Sequence, residues 1–90
     1  MSENQIIEIF MKKFKNDIKL IYEETIKDFI TLTFLYLPSD VKIIFLSNKD
    51  EFHINIWINE IKEIKKEKKK LTKENLKEKI IEIKKYLKNE

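Results

Sequence analysis

Between Ile18 and Asn59 the apolar residues recur at every second position, while the segments on either side repeat every third or fourth. The change of period predicts a sheet in the middle of the chain and a helix at each end, an α+β fold. Alternation is cleanest in the stretch FHINIWIN. Phe52, Ile54, Ile56 and Ile58 share one side of it, and His53, Asn55, Trp57 and Asn59 share the other.

Three further strands precede it. Ile18, Leu20 and Tyr22 alternate with Lys19, Ile21 and Glu23, and the polar patch Glu24 to Asp28 is expected to turn the chain. FITLTFLYL, rich in aromatic and β-branched residues, stops at Pro38-Ser39-Asp40, and VKIIFL stops at Ser47-Asn48-Lys49-Asp50. Connections this short favour an antiparallel meander. With no glycine anywhere, a turn residue with positive φ is expected to be Asn48 or Asp50, the types that tolerate it best.

The flanking helices carry start signals. Ser2 with Gln5 is a capping-box pair, and Ile6, Ile7, Phe10 and Phe14 follow as one stripe. Thr72 is the expected N-cap of the last helix, with Leu71 packing on Leu76 as a hydrophobic staple. Leu76, Ile80, Ile83 and Leu87 form its stripe, and Glu74, Glu78 and Glu82 are spaced to pair with lysines. The expected organisation is one domain of order α-β-β-β-β-α: a helix over 1–17, a four-stranded antiparallel meander over 18–59, a basic connector over 60–71 and a helix over 72–90. Ninety residues lie near the lower end of what buries a working core.

Composition narrows the chemistry. The chain has no cysteine and one histidine, so neither a disulfide framework nor a zinc site is expected. Without glycine, a P-loop and a dinucleotide fingerprint are both out of reach. The acidic pairs Glu23-Glu24 and Asp50-Glu51 and the serines Ser39 and Ser47 have no assignable catalytic companions. The expectation is a protein that is not an enzyme and takes no cofactor. No run is long enough for a membrane span and the N-terminus lacks a signal-peptide layout, so a cytoplasmic location away from membranes is expected. Lysine, isoleucine and asparagine abound while glycine, alanine and arginine are absent. That is the bias of an A/T-rich genome, such as a low-GC bacterium or a phage or plasmid of one.

Charge is unevenly placed. Residues 1–58 carry seven lysines against nine acidic side chains, and residues 59–90 carry twelve lysines against seven glutamates. Six of the nine residues in 62–70 are lysine: Lys62, Lys65, Lys66, Lys68, Lys69 and Lys70. Such a run serves as a solvated connector, or meets phosphates or an acidic protein.

Each helix has one stripe to bury, and the face of Phe52, Ile54, Ile56 and Ile58 is the natural place for both. The other face would then carry Lys19, Ile21, Thr31, Thr33, Leu35, Ile44, Leu46, His53, Asn55 and Trp57, which is too apolar to be merely solvated. One helix on each face would instead make these residues core. In the second strand Ile30, Leu32, Phe34 and Tyr36 compete with Phe29, Leu35 and Leu37 for the buried side.

Two functions follow as expectations. The first is a protein-binding module that occupies a partner's surface, with Trp57, His53, Asn55, Ile44, Leu46 and Leu35 at its centre. The lysines of 62–70 would form a rim that steers an acidic partner. Small phage- and mobile-element-encoded inhibitors of host defence, the anti-CRISPR class among them, are similar in size and layout, a likeness carried by no residue motif. The second is sequence-nonspecific nucleic-acid binding, with the same lysines on phosphates and Trp57, Tyr36 or Tyr22 stacking on bases. The absence of arginine removes the usual reader of guanine. A homodimer through the apolar face is compatible with both.

Overall fold

The computed structural model of the protein describes residues 1–58, the backbone of 61–64, and residues 68–88. Helix α1 (Glu3–Phe14) leads through a 3₁₀ turn (Lys15–Asp17) into strands β1 (Ile18–Ile26), β2 (Phe29–Tyr36), β3 (Val41–Asn48) and β4 (Glu51–Ile58). Two short strands, β5 (Ile61–Ile64) and β6 (Lys69–Lys70), precede helix α2 (Lys73–Lys88). The sheet is an antiparallel meander in the order β1-β2-β3-β4-β5, and β6 also pairs with β4. The fold is α+β, as the two periods require. The difference lies in the segment read as a connector, where Ile61–Ile64 and Lys69–Lys70 hydrogen-bond along the free side of β4.

Both helix starts have the expected caps. The Gln5 backbone N–H donates to Ser2 Oγ at 3.2 Å, and the Ser2 N–H donates back to Gln5 Oε1 at 2.9 Å. In α2 the Asn75 N–H donates to Thr72 Oγ1 at 3.1 Å, with Leu71 packed on the core near buried Leu76.

Both helices bury their stripes on one face of the sheet. Ile6, Phe10 and Phe14 of α1 share a core with Leu76, Ile80, Ile83 and Leu87 of α2. The strand residues in that core are Leu32, Phe34, Val41, Ile43, Phe45, Phe52, Ile54 and Ile56, together with Ile18. The second strand thus turns Leu32 and Phe34 inward and leaves Phe29 exposed. Phe10 is the centre of the packing, stacked on Phe34 with centroids 4.4 Å apart and edge-on to Phe45 at 6.0 Å. Lys84 Nζ of α2 donates to the Lys13 carbonyl of α1 at 2.7 Å, which locks the helices side by side.

Three local features differ from the sequence reading. The patch Glu24 to Asp28 is not a loop. β1 continues to Ile26 and the hairpin closes with only Lys27 and Asp28, because Glu24, Thr25 and Ile26 have ladder partners in Thr31, Ile30 and Phe29. The ladder also slips between Leu20 and Tyr22, where Ile21 is the extra residue of a β-bulge. Finally, positive φ falls on Lys15, Lys27, Asp40 and Lys49, not on Asn48 or Asp50. A two-residue hairpin sets φ by loop position, so the lysine at the first position of each turn must adopt it whatever the neighbouring residue prefers.

One buried position carries an ionisable side chain among the described residues. Lys79 is 1 % exposed, and helical spacing puts it on the flank of α2 turned away from Lys77 and Lys84. Its Nζ lies 3.8 Å from Glu82 Oε2, and Glu82 is itself part-exposed. Taking an ammonium out of water is costly, and an apolar side chain of similar length at a buried position carries no such cost. Lys79→Met should therefore keep the fold and raise stability by about 1 kcal/mol, read as a higher urea midpoint at unchanged slope. A lower midpoint would show that the lysine is a net stabiliser. The turns give a second expectation. Left-handed φ costs a lysine about 1–2 kcal/mol, partly offset by the extra unfolded-state freedom of glycine. Lys27→Gly and Lys49→Gly should each stabilise by about 0.5–1 kcal/mol, whereas Lys49→Ala, which keeps the strain, should gain nothing.

Candidate functional site

With both helices on one side, the second sheet face is left without a helix among the described residues. Its side chains fall in cross-strand rows fixed by the ladders. One row runs Lys19, Leu35, Lys42, Trp57, with Lys62 next in register. The second runs Tyr22, Thr33, Ile44, Asn55, and the third Glu24, Thr31, Leu46, His53. The last consists of Ile26, Phe29, Asn48 and Glu51, with Lys70 beyond.

The face is graded from end to end. Lys19 and Lys42 are exposed and flank half-buried Leu35, with half-buried Trp57 following Lys42. This end is basic and aromatic. At the far end Ile26 and Phe29, opposite one another beside the Lys27-Asp28 turn, are each 57 % exposed, while Tyr22, in the row next to the lysines, is 48 % exposed. A cleft of about 310 Å³ opens beside Phe29, lined also by Thr31, Leu46, Glu51, His53 and Lys68. Asn55 sits between these ends at 6 % exposure, and its Oδ1 has no hydrogen-bond donor among the described residues. It is a buried acceptor in the middle of the face, beside Ile44.

The residues expected to form the site divide accordingly. Trp57, His53, Asn55, Ile44, Leu46 and Leu35 do share this face, but all are half-buried or buried by their neighbours. The described lysines of this run are divided between two strands and the rim of the cleft. Lys62 lies in β5 opposite Trp57, and Lys69 and Lys70 lie in β6 opposite Phe52 and Glu51. Lys68 is exposed at the rim of the cleft. Lys65 and Lys66 lie outside the described residues.

The sequence offers exposed Tyr22 only as a base-stacking candidate, and it does not place exposed Ile26 and Phe29 on this face. Simple alternation assigns Tyr22 to the helix side, and only the bulge at Ile21 moves it across. Its hydroxyl donates to Glu24 Oε2 at 2.7 Å, a contact between neighbours on one face that raises the phenol pKa. Ile26 and Phe29 were hidden because Lys27-Asp28 lacks the glycine or asparagine that marks a two-residue hairpin. Ile21 stands at the bulge, outside the row expected for it.

No helix among the described residues is long and apolar enough to cross a membrane. The chain was compared with protein-family models, curated proteins and solved structures, and none of them matches.

Proposed function

We propose that the protein is a non-enzymatic binding module that acts by occupying another protein's surface with the outer face of its sheet. The observation that carries this reading is the contiguous, graded face itself. Ile26 and Phe29 form an exposed apolar end, joined through Leu46 and Ile44 to exposed Tyr22 and the basic row of Lys19 and Lys42 beside Trp57. Apolar groups that cluster on a rigid sheet give a binding surface that needs little reordering on association. A partner that fits would carry an apolar side chain for the cleft at Phe29 and carboxylates for the lysine row. The reading extends to an inhibitor encoded by a phage or mobile element and directed at a host defence system. Chain size, the α-β-β-β-β-α layout and the A/T-rich residue usage support that extension.

Phe29 is the better probe of this face than Trp57. Its exposure means that a charge there leaves the core intact, whereas a charge at half-buried Trp57 also unsettles β4. Phe29→Glu should weaken capture of a protein partner from host cells about thirtyfold or more, as removal of an aromatic hot spot does. Lys68→Glu should weaken it only a few-fold, as a rim charge does. A nucleic-acid ligand would behave otherwise. Trp57 fluorescence would then respond to single-stranded oligonucleotides at low salt, steeply lose that response as salt rises, and be insensitive to Phe29→Glu. That pattern would replace the protein-partner reading with the nucleic-acid one.

A further inference from the structure

The free edge of the sheet at β1 is complementary to itself, and we infer that the chain forms a two-fold dimer by antiparallel pairing of β1 with β1 of a second copy. This inference stands apart from the docking reading, since it uses the edge of the sheet and not its face.

An exposed edge strand is a template for another strand. β1 is nine residues long and has β2 on one side only. The two ends of the sheet are treated differently. At the β4 side the added strands are short, and β6 consists of two lysines, features that discourage pairing. The β1 edge instead exposes Ile21 and Tyr22 at its middle and Ile26 at its end.

The bulge at Ile21 selects the partner. Before it, Lys19 is on the outer face, and Ile18 and Leu20 are on the helix face. After it, Tyr22, Glu24 and Ile26 are outward, while Glu23 and Thr25 turn toward α1. Thr25 Oγ1 donates to Glu3 Oε2 of α1 at 2.8 Å, which confirms the reversal. Directly opposed residues in an antiparallel pair must lie on the same face. A regular strand laid along β1 would match on one side of the bulge and mismatch on the other. A second copy of β1 carries the same reversal and runs the other way, so it matches throughout in one register, with Ile21 opposite the partner's Tyr22.

That register fixes every other pair. Lys19 stands opposite the partner's Glu24, and Glu24 opposite the partner's Lys19, all on the outer face. Leu20 meets the partner's Glu23 and Ile18 meets the partner's Thr25, all on the helix face. Two attractive charge pairs thus flank a central apolar pair of Ile21 and Tyr22. Glu23 is tempered on its own side, where its hydrogen bond with Glu3 favours the protonated carboxyl. The flank of α1 that overhangs β1 presents half-buried Ile7 and Met11. The bulge that disfavours a foreign strand is thus compatible with its own copy.

Light scattering and native mass spectrometry on the full chain test this directly. The expected result is a reversible dimer whose population rises with concentration. Lys19→Glu and Glu24→Lys, both at exposed sites, should each weaken it about tenfold by setting like charges opposite one another. The double variant, which restores opposite charges with the signs exchanged, should recover the original affinity. Amide exchange supplies a second reading independent of how well the variants express: the outward N–H groups of β1 should slow as wild-type concentration rises. A chain that stays monomeric up to about 0.5 mM overturns the proposal. So does a dimer that ignores the single exchanges, or one that the double exchange does not restore.

Discussion

The stack of Phe10 on Phe34, 4.4 Å between centroids, holds α1 against the middle of the sheet, and most of the architecture depends on it. Phe45 meets the same ring edge-on, and Phe52 stacks on Phe45 at 5.7 Å. An aromatic seam therefore runs from α1 across β2, β3 and β4. Only the face that holds these rings is dense enough in large side chains to accept a helix. Once α1 occupies one part of it, the isoleucines of β4 have no partner except the stripe of α2. Chains this small have apolar surface for one core. The packing of both helices on one side follows from where the phenylalanines lie.

The consequence is a sheet whose other side is built by ladder register alone. Its central side chains shield one another, which is how Thr33 and Asn55 become buried with no helix above them among the described residues. Shielding fails at the hairpin end, where no further row lies beyond Ile26 and Phe29. The two most accessible apolar groups, Ile26 and Phe29, thus lie at one end of the face, while the lysine row lies toward the other. This separation gives the face a direction, which a partner can read as orientation as well as affinity.

Much of this was legible in the sequence where the period is clean. β4 alternates without interruption, so its inward Phe52, Ile54 and Ile56 and its outward His53, Asn55 and Trp57 follow from position alone. The caps at Ser2 and Thr72 are local patterns with local causes, and they form as read. What was hidden depends on pairing between strands. β2 has apolar residues at both parities, and only its placement between β1 and β3 decides that Leu32 and Phe34 face the helices. Lys79 resembles any other lysine of a charged helix until the core closes around its stem. The positive φ at Lys27 and Lys49 is imposed by loop length, and a residue's own preference does not announce it.

The extra residue at Ile21 connects the two surfaces. Were the ladder of β1 regular, Tyr22, Glu24 and Ile26 would point toward the helices and Glu23 and Thr25 toward water. The outer face would then lose Tyr22 from its middle and Ile26 from its apolar end, and Glu3 would lose its partner in Thr25. One inserted residue therefore decides which side chains of β1 reach the outer face. The same insertion reverses the face pattern along the free edge and so restricts what can pair with it. In a two-fold pair the outer faces of two copies would join across β1, with the Tyr22 side chains near the axis and an Ile26–Phe29 end on each side. A partner with two matching sites would gain effective concentration from that arrangement without any new kind of contact. Edge and face are separate surfaces, yet the pattern of both is set by the same local irregularity.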